Sequence, residues 1–175
     1  MPSSPDRAKA DAGLPDRQPL STRKVAVGII AGAAGGALAI ALMEWLSDWA
    51  AFPLMMVPFA TSIVLVLGTP EAEPAQPRAL VGGHLVSTLV GLAVLAVTGP
   101  SPWAAAGVVG LAIAAMHFTR TFHPPAGIDP LVVVVNGVPW SFLLVPVAVG
   151  ALLLAAFAFT WHNLVRSRGW PERWW

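Results

Sequence analysis

The chain has 175 residues, 56% of them apolar, 11% charged and none cysteine, with ten Lys or Arg against nine Asp or Glu for a formal charge of +1. Soluble domains carry about a quarter charged residues, so this composition, with a mean hydropathy of +0.70, excludes that class and gives an all-α polytopic membrane protein embedded in a lipid bilayer. Lack of cysteine excludes disulfides and thiolate metal sites, and neither cofactor, metal nor nucleic acid is expected.

Residues 1–24 are polar, Pro-containing and of mixed charge, and read as a disordered cytoplasmic tail closed by Arg23 and Lys24. No small-residue cleavage site follows a short apolar core, so the first apolar run is expected to be retained. That run, 25–46, is long enough at about 1.5 Å per residue to cross a hydrocarbon core of about 30 Å. Gly28, Gly32 and Gly36 leave one of its faces almost bare, a surface for close helix packing or for a homo-oligomer contact. Glu44 and Asp48, flanked by Trp45 and Trp49, mark its far end. Residues 52–68 are apolar but interrupted by Pro53 and Pro58, which leaves a half-helix of about ten residues. A Pro-rich polar loop, 69–78, leads into a third run, 79–98, with Gly82, Gly83, His84, Ser87 and Thr88 near its start.

A Gly-Pro-Ser-Pro turn at 99–102 precedes the fourth run, 104–117. Pro124 and Pro125 cannot sit in mid-helix, so a break is forced there and a new helix can only start after it. The four valines 132–135 would suggest a strand in a soluble protein. In lipid a lone strand leaves its backbone unpaired, so 129–137 is read as a second short helix. Residues 141–161 span again, a membrane domain thus covers 25–163, and 164–175 is a basic, Trp-rich cytoplasmic tail lying on the membrane surface.

Six hydrophobic segments result, four long spans and two short or discontinuous helices. Counting all six as crossings with the amino terminus in the cytoplasm places every Lys and Arg, Arg78 and Arg120 included, on the cytoplasmic side. Four crossings would move those two outside. The short segments also resemble each other: 63–70 and 132–139 both run aliphatics into Gly and then Pro two places on. Each is the middle of a long, short, long trio, the plan of a 3+3 inverted repeat. Localisation is therefore read as multi-pass in a bacterial plasma (inner) membrane with both termini cytoplasmic.

Polar groups inside a membrane are expensive and usually face a bundle interior or a cavity. Arg120 and His123 rank first, because a helix starting at Pro125 would leave the amides of Ala126, Gly127 and Ile128 without acceptors and aimed, dipole behind them, at an anion. Arg120 as a topology anchor and His123 as a core histidine are the structural alternatives. His84, beside the close-approach glycines Gly82 and Gly83, would face His123 across a cavity. Thr61 and Ser62 would supply hydroxyls at the start of the first short helix, or simply cap it. Asp129, followed by Pro130, reads as a helix cap, with proton carriage or cation binding as the alternatives. No catalytic residue pattern is visible, so the protein is not expected to be an enzyme.

Three stretches, Pro58-Phe-Ala-Thr-Ser62, Ala75-Gln-Pro-Arg-Ala-Leu-Val-Gly-Gly-His84 and Thr119-Arg-Thr-Phe-His-Pro-Pro-Ala-Gly127, resemble the HPP family of integral membrane proteins. Arg78, Gly82, Gly83, His84, Arg120, His123, Pro124 and Pro125 match its motifs. The resemblance implies four membrane helices, against the six read from charge, and a transport role, since plastid and cyanobacterial relatives are associated with nitrite movement. The expectation is a permease or channel for a small anion, nitrite, bound between Thr61–Ser62 and His123–Gly127, with His84 and His123 coupling a proton. A membrane assembly or regulatory subunit and an intramembrane His/Asp enzyme are the competing classes.

Overall fold

The computed structural model describes residues 21–50, 57–167 and 169–174, so most of the predicted amino-terminal tail, and Pro53, lie outside it. The described residues form six α-helices and no strand: α1 (Thr22–Ala50), α2 (Phe59–Gly68), α3 (Pro77–Thr98), α4 (Pro102–Phe118), α5 (Asp129–Asn136) and α6 (Val149–Thr160). Turns of other pitch extend α6 into an apolar rod over Trp140–Val165, kinked where Val145 is extended (φ −132°, ψ 119°). Three helices are long and apolar enough to cross a membrane, Thr22–Asp48, Pro77–Thr98 and Trp140–Val165. The valines 132–135 are helical within α5, and α2 has ten residues.

Prolines set the helix starts. Pro77 and Pro102 occupy first turns whose amides need no partner, and the Ser101 hydroxyl accepts from the Ala104 amide at 3.4 Å. Pro58 immediately precedes α2. Pro124 and Pro125 do not open an α-helix but a five-residue 3-10 turn, Pro124–Ile128, and α5 follows from Asp129.

Glycines decide how closely the pieces approach. The segment after α4 runs beside α3 along its whole length: Thr121 against Gly82, His123 against Gly83, Pro130 against Gly91, and Gly137 beside Pro100. Only its second half, α5, is regular helix. On the other flank, α2 runs back along α1, with Ile63 near Gly36 and Leu67 near Gly32. α5 thus runs parallel to α3, and α2 antiparallel to α1. The glycine face of α1 is filled by the chain itself, through Leu67, Ile63, Arg166 and, at Gly35, the Trp161 ring. This is the close helix packing that the glycine spacing predicts.

The core lies where α2 meets the last rod, around Phe59, Ile63, Leu67, Val147 and Leu154, with Phe59 seated on Gly150. The free carbonyls at the end of α2 are met by cationic or polar donors: His162 Nε2 donates to Val66 O at 3.0 Å and the Arg166 guanidinium to Leu67 O at 3.0 Å. The carboxy-terminal segment is tied to the start of α3. Trp170 is buried, and the Glu172 amide donates to Gln76 Oε1 at 2.9 Å.

A methyl group at Gly83 would stand 2.6 Å from His123 Cβ and 2.8 Å from Thr121 O, whereas one at Gly107 meets nothing within 4 Å. Gly83→Ala should destabilise the protein by about 1–3 kcal/mol, and Gly107→Ala should be neutral or stabilise it by up to about 1 kcal/mol. Thermal unfolding of the two variants in detergent checks the contrast.

Candidate functional site

On α3, positions 83, 84, 87, 88 and 91 fall at helical spacing on one face, and all five are buried. Against this face lie the start of α2 on one side and the 121–130 segment on the other. They bring together four side chains distant in sequence. His84 Nε2 is 2.9 Å from Ser62 Oγ, and Ser62 Oγ is 2.9 Å from His123 Nε2. His84 Nδ1 is 2.7 Å from Asp129 Oδ2, which also accepts from Thr88 Oγ1 at 3.4 Å. His123 Nδ1 is 2.7 Å from Pro74 O. Ser62, His84 and His123 have no exposed surface and Asp129 has 1%.

Donor and acceptor rules orient this chain. Pro74 O can only accept, so His123 Nδ1 donates to it. With His123 neutral, its Nε2 accepts from the Ser62 hydroxyl, whose oxygen in turn accepts from His84 Nε2–H. His84 and Asp129 then share one further proton between Nδ1 and Oδ2. Every link is satisfied, but Asp129 Oδ1 has no hydrogen-bond partner despite its burial. Alongside, Ser87 Oγ donates to Ala126 O at 2.6 Å and ties the 3-10 turn to α3.

Pro74 also forms part of the wall of a cavity of about 440 Å³ at the end of the bundle where α3 starts and α4 ends. Arg78, Arg120 and Arg173 line it, with His117, Gln76 and one acid, Glu73. Arg78 donates to Thr119 O at 2.9 Å, whereas the Arg120 and Arg173 side chains make no hydrogen bond or ion pair with another described residue. Three guanidiniums against one carboxylate make this mouth strongly electropositive. Arg23, Lys24 and Arg166 line a second cavity around the start of α1.

Arg120 reaches its place through the backbone. The Thr121 amide bonds to Met116 O at 2.8 Å and the Arg120 amide to His117 O at 3.1 Å, closing α4 with the two-bond cap in which glycine usually takes the left-handed position. Here Arg120 takes it, at φ 57°.

The structure thus sorts the sequence-predicted residues. His84, His123 and Ser62 meet in one buried chain, bridged by the serine hydroxyl rather than facing each other across a hollow. Gly82 and Gly83 admit the segment that carries His123. Arg120 stands exposed at the cavity, outside the buried chain, because its left-handed turn directs it outward. Thr61 is exposed and donates to Pro58 O at 2.7 Å, since it sits one position off the buried face of α2. The Ala126 amide is not free but bonds to His123 O at 3.0 Å, because the prolines start a 3-10 turn; Gly127 is buried in that turn. Asp129 makes no capping bond and instead holds His84. Sequence reasoning assigned no role to Ser87 and missed the bridging role of Ser62, the Pro74 carbonyl and Arg173. The spacing of His84, Ser87, Thr88 and Gly91 was the available signal for the first, whereas the others depend on tertiary contacts.

The HPP transmembrane region family matches residues 21–171. Two Dictyostelium discoideum proteins, each described as a transmembrane protein, are similar to the chain. One is 40% identical over 125 residues, covering 67% of this chain and 40% of the relative. The other is 35% identical over 150 residues, covering 80% and 52%. The chain thus spans about half or less of the length of these relatives. No solved structure matches it.

Ser87→Ala would leave the buried Ala126 carbonyl without its donor and should cost about 1–3 kcal/mol. Thr98→Ala, at an exposed hydroxyl, should change stability by less than about 0.5 kcal/mol. Detergent denaturation of both variants gives the comparison.

Proposed function

The chain belongs to the HPP transmembrane region family, and on that premise we propose that it is a membrane permease, not an enzyme, for a small monovalent anion, with nitrite as its substrate. The observation that carries this reading is the arginine-lined cavity, one wall of which, Pro74, is hydrogen-bonded to the buried chain between two interrupted helices. Surplus positive charge at a partly dry mouth attracts a monovalent anion far more strongly than it would in open water. Interrupted helices near mid-depth are where transporters place their sites, because irregular backbone is tolerated in a bilayer only inside protein or along a wet cavity. The resemblance of the three sequence motifs to relatives that move nitrite supplies the choice of anion.

The topology proposed with this function has six passes. From the end where the basic residues gather, α1 leads away, α2 returns, α3 leads away, α4 returns, 119–137 leads away and the last rod returns. The two short helices take opposite directions as an inverted repeat requires. Both termini, Arg78 and Arg120 then lie in the cytoplasm of a bacterial plasma membrane, with the Lys and Arg on the side where loops retain them. Reporter fusions placed after Arg78 and after Arg120 should both report the cytoplasm; an external signal at either removes the six-pass arrangement.

Arg120 offers a test in which misfolding and lost function move in opposite directions. Glycine is relaxed at the left-handed position that Arg120 occupies at a cost of about 1–3 kcal/mol. Arg120→Gly should therefore raise the unfolding temperature while lowering nitrite uptake into proteoliposomes by about tenfold, the equivalent of about 1.4 kcal/mol of lost anion stabilisation. Lys24→Ala, outside this cavity, should leave uptake unchanged. Uptake by Arg120→Gly equal to that of the unmodified protein would remove the cavity from the anion path.

A further inference from the structure

We propose that Asp129, His84, Ser62 and His123 form a proton relay leading to the cavity wall at Pro74, and that the coupling ion of this protein is therefore H⁺. The coupling half of this statement rests on the permease reading; the relay half does not.

Four features carry it. The chain is continuous, with heavy-atom distances of 2.7, 2.9, 2.9 and 2.7 Å from Asp129 Oδ2 to Pro74 O. Each interior member, His84, Ser62 and His123, can both take and give a proton. Its four members are buried, so a proton on them meets bulk water only at the Pro74 end. Its inner end, Asp129 Oδ1, is buried without a partner, an arrangement that a purely structural polar lock would close. Intramembrane chains of acids and histidines are the usual means of moving protons through a bundle.

The transfer balances without displacement of any heavy atom. With His84 protonated on both nitrogens and Asp129 ionised, the Nε2 proton of His84 passes to Ser62 Oγ while the hydroxyl proton of Ser62 passes to His123 Nε2. The N–H bond of His84 breaks, one O–H bond forms and one breaks, and a new N–H bond forms on His123. His84 is left neutral, still donating from Nδ1 to Asp129, and His123 carries the charge with Nδ1–H on Pro74 O. Opening of the His123–Pro74 bond delivers the proton to water in the cavity. Reversal of the same steps returns it.

The groups facing the relay are few. From α5 comes Asp129, from the 3-10 turn the Ala126 carbonyl bound by Ser87, from α2 the Phe59 ring, 4.8 Å from the His84 ring centroid, from the residue before α2 the Pro58 carbonyl, 3.4 Å from Ser62 Oγ, and from α3 Thr88. Arg78, Arg120, Arg173, His117 and Glu73 stand beyond Pro74 in the cavity, and His162 sits at the far end of α2 on Val66 O. No further titratable side chain among the described residues bonds to its four members.

The test is exchange of the His84 ring N–H protons with water, followed by nuclear magnetic resonance in ¹⁵N-histidine protein in lipid nanodiscs. A relay gives exchange at His84 in the unmodified protein although the ring has no exposed surface. Ser62→Ala should slow it at least about tenfold, leaving only local opening as a route, and Ser62→Thr, which keeps a hydroxyl, should restore it. His123→Gln, able to hydrogen-bond but not to carry a proton, should slow it independently should Ser62→Ala fail to fold. Full protection of His84 in the unmodified protein, or equal rates in the variants, overturns the relay.

Coupling is read separately in proteoliposomes against protein-free vesicles. Ser62→Ala should lose nitrite accumulation driven by a pH gradient; accumulation at the unmodified level overturns the coupling. Exchange at His84 with no nitrite movement in the unmodified protein would sink the permease reading and leave the relay standing. Nitrite movement with His84 protected would do the reverse.

Discussion

The arrangement depends on one close approach, that of the 121–123 backbone to the glycine pair of α3. A helix entering a proline pair must leave the helical path, and in a bilayer the freed amides and carbonyls have no water to turn to. Gly82 and Gly83 solve this by letting the unwound chain lie against α3 at a distance that any side chain would forbid. Once there, the irregular segment finds its partners: Ala126 O on Ser87, Pro74 O on His123, and Thr121 Oγ1 on Thr119 Oγ1 at 2.7 Å. The same contact delivers His123 to Ser62 and lowers Asp129 to His84. Packing and site are one event here.

The polar groups then divide into two environments with different electrostatics. The buried chain holds one acid and two histidines and can be neutral as a whole, which is the condition for surviving dry surroundings. The cavity at the basic end holds an excess of positive charge in contact with solvent, where that excess is tolerable and attracts anions. Between them stands one carbonyl, that of Pro74. Moving the arginines inward would leave unpaired charge in the core, and moving Asp129 outward would cancel the field of the mouth.

Much of the fold was legible because its signals are local. Proline breaks at 58 and 124, the ten-residue reach of α2 and the helical reading of the valine run follow from backbone rules that hold wherever irregular chain meets lipid. The candidate site was legible in its membership more than in its geometry. His84, His123 and Ser62 stood out as polar residues in apolar runs, but which face of α2 they met was decided by tertiary packing, so Thr61 was included beside Ser62 although adjacent helical positions point about 100° apart. Arg120 ranks with the intramembrane polar groups because it adjoins the proline break, although its charge already counts on the cytoplasmic side. Its exposure follows from a left-handed cap that Arg does not advertise. The glycine face of α1 was read for its shape, and nothing in that shape says whether the partner is another chain or the end of the same one.

Asp129 shows how a buried carboxylate can be both affordable and reactive. It occupies the first turn of α5, where the helix dipole favours negative charge, and His84 lies at 2.7 Å. Those two contacts compensate one oxygen and leave the other bare. A cap of the kind its sequence suggests would have spent the carboxylate on backbone amides and left His84 facing an apolar wall. With the acid turned instead toward α3, the start of α5 and the start of α2 meet at one histidine, and each proline break acquires a consequence for the other. Two interruptions that would each weaken an isolated helix are in this way held together by the polar groups they release.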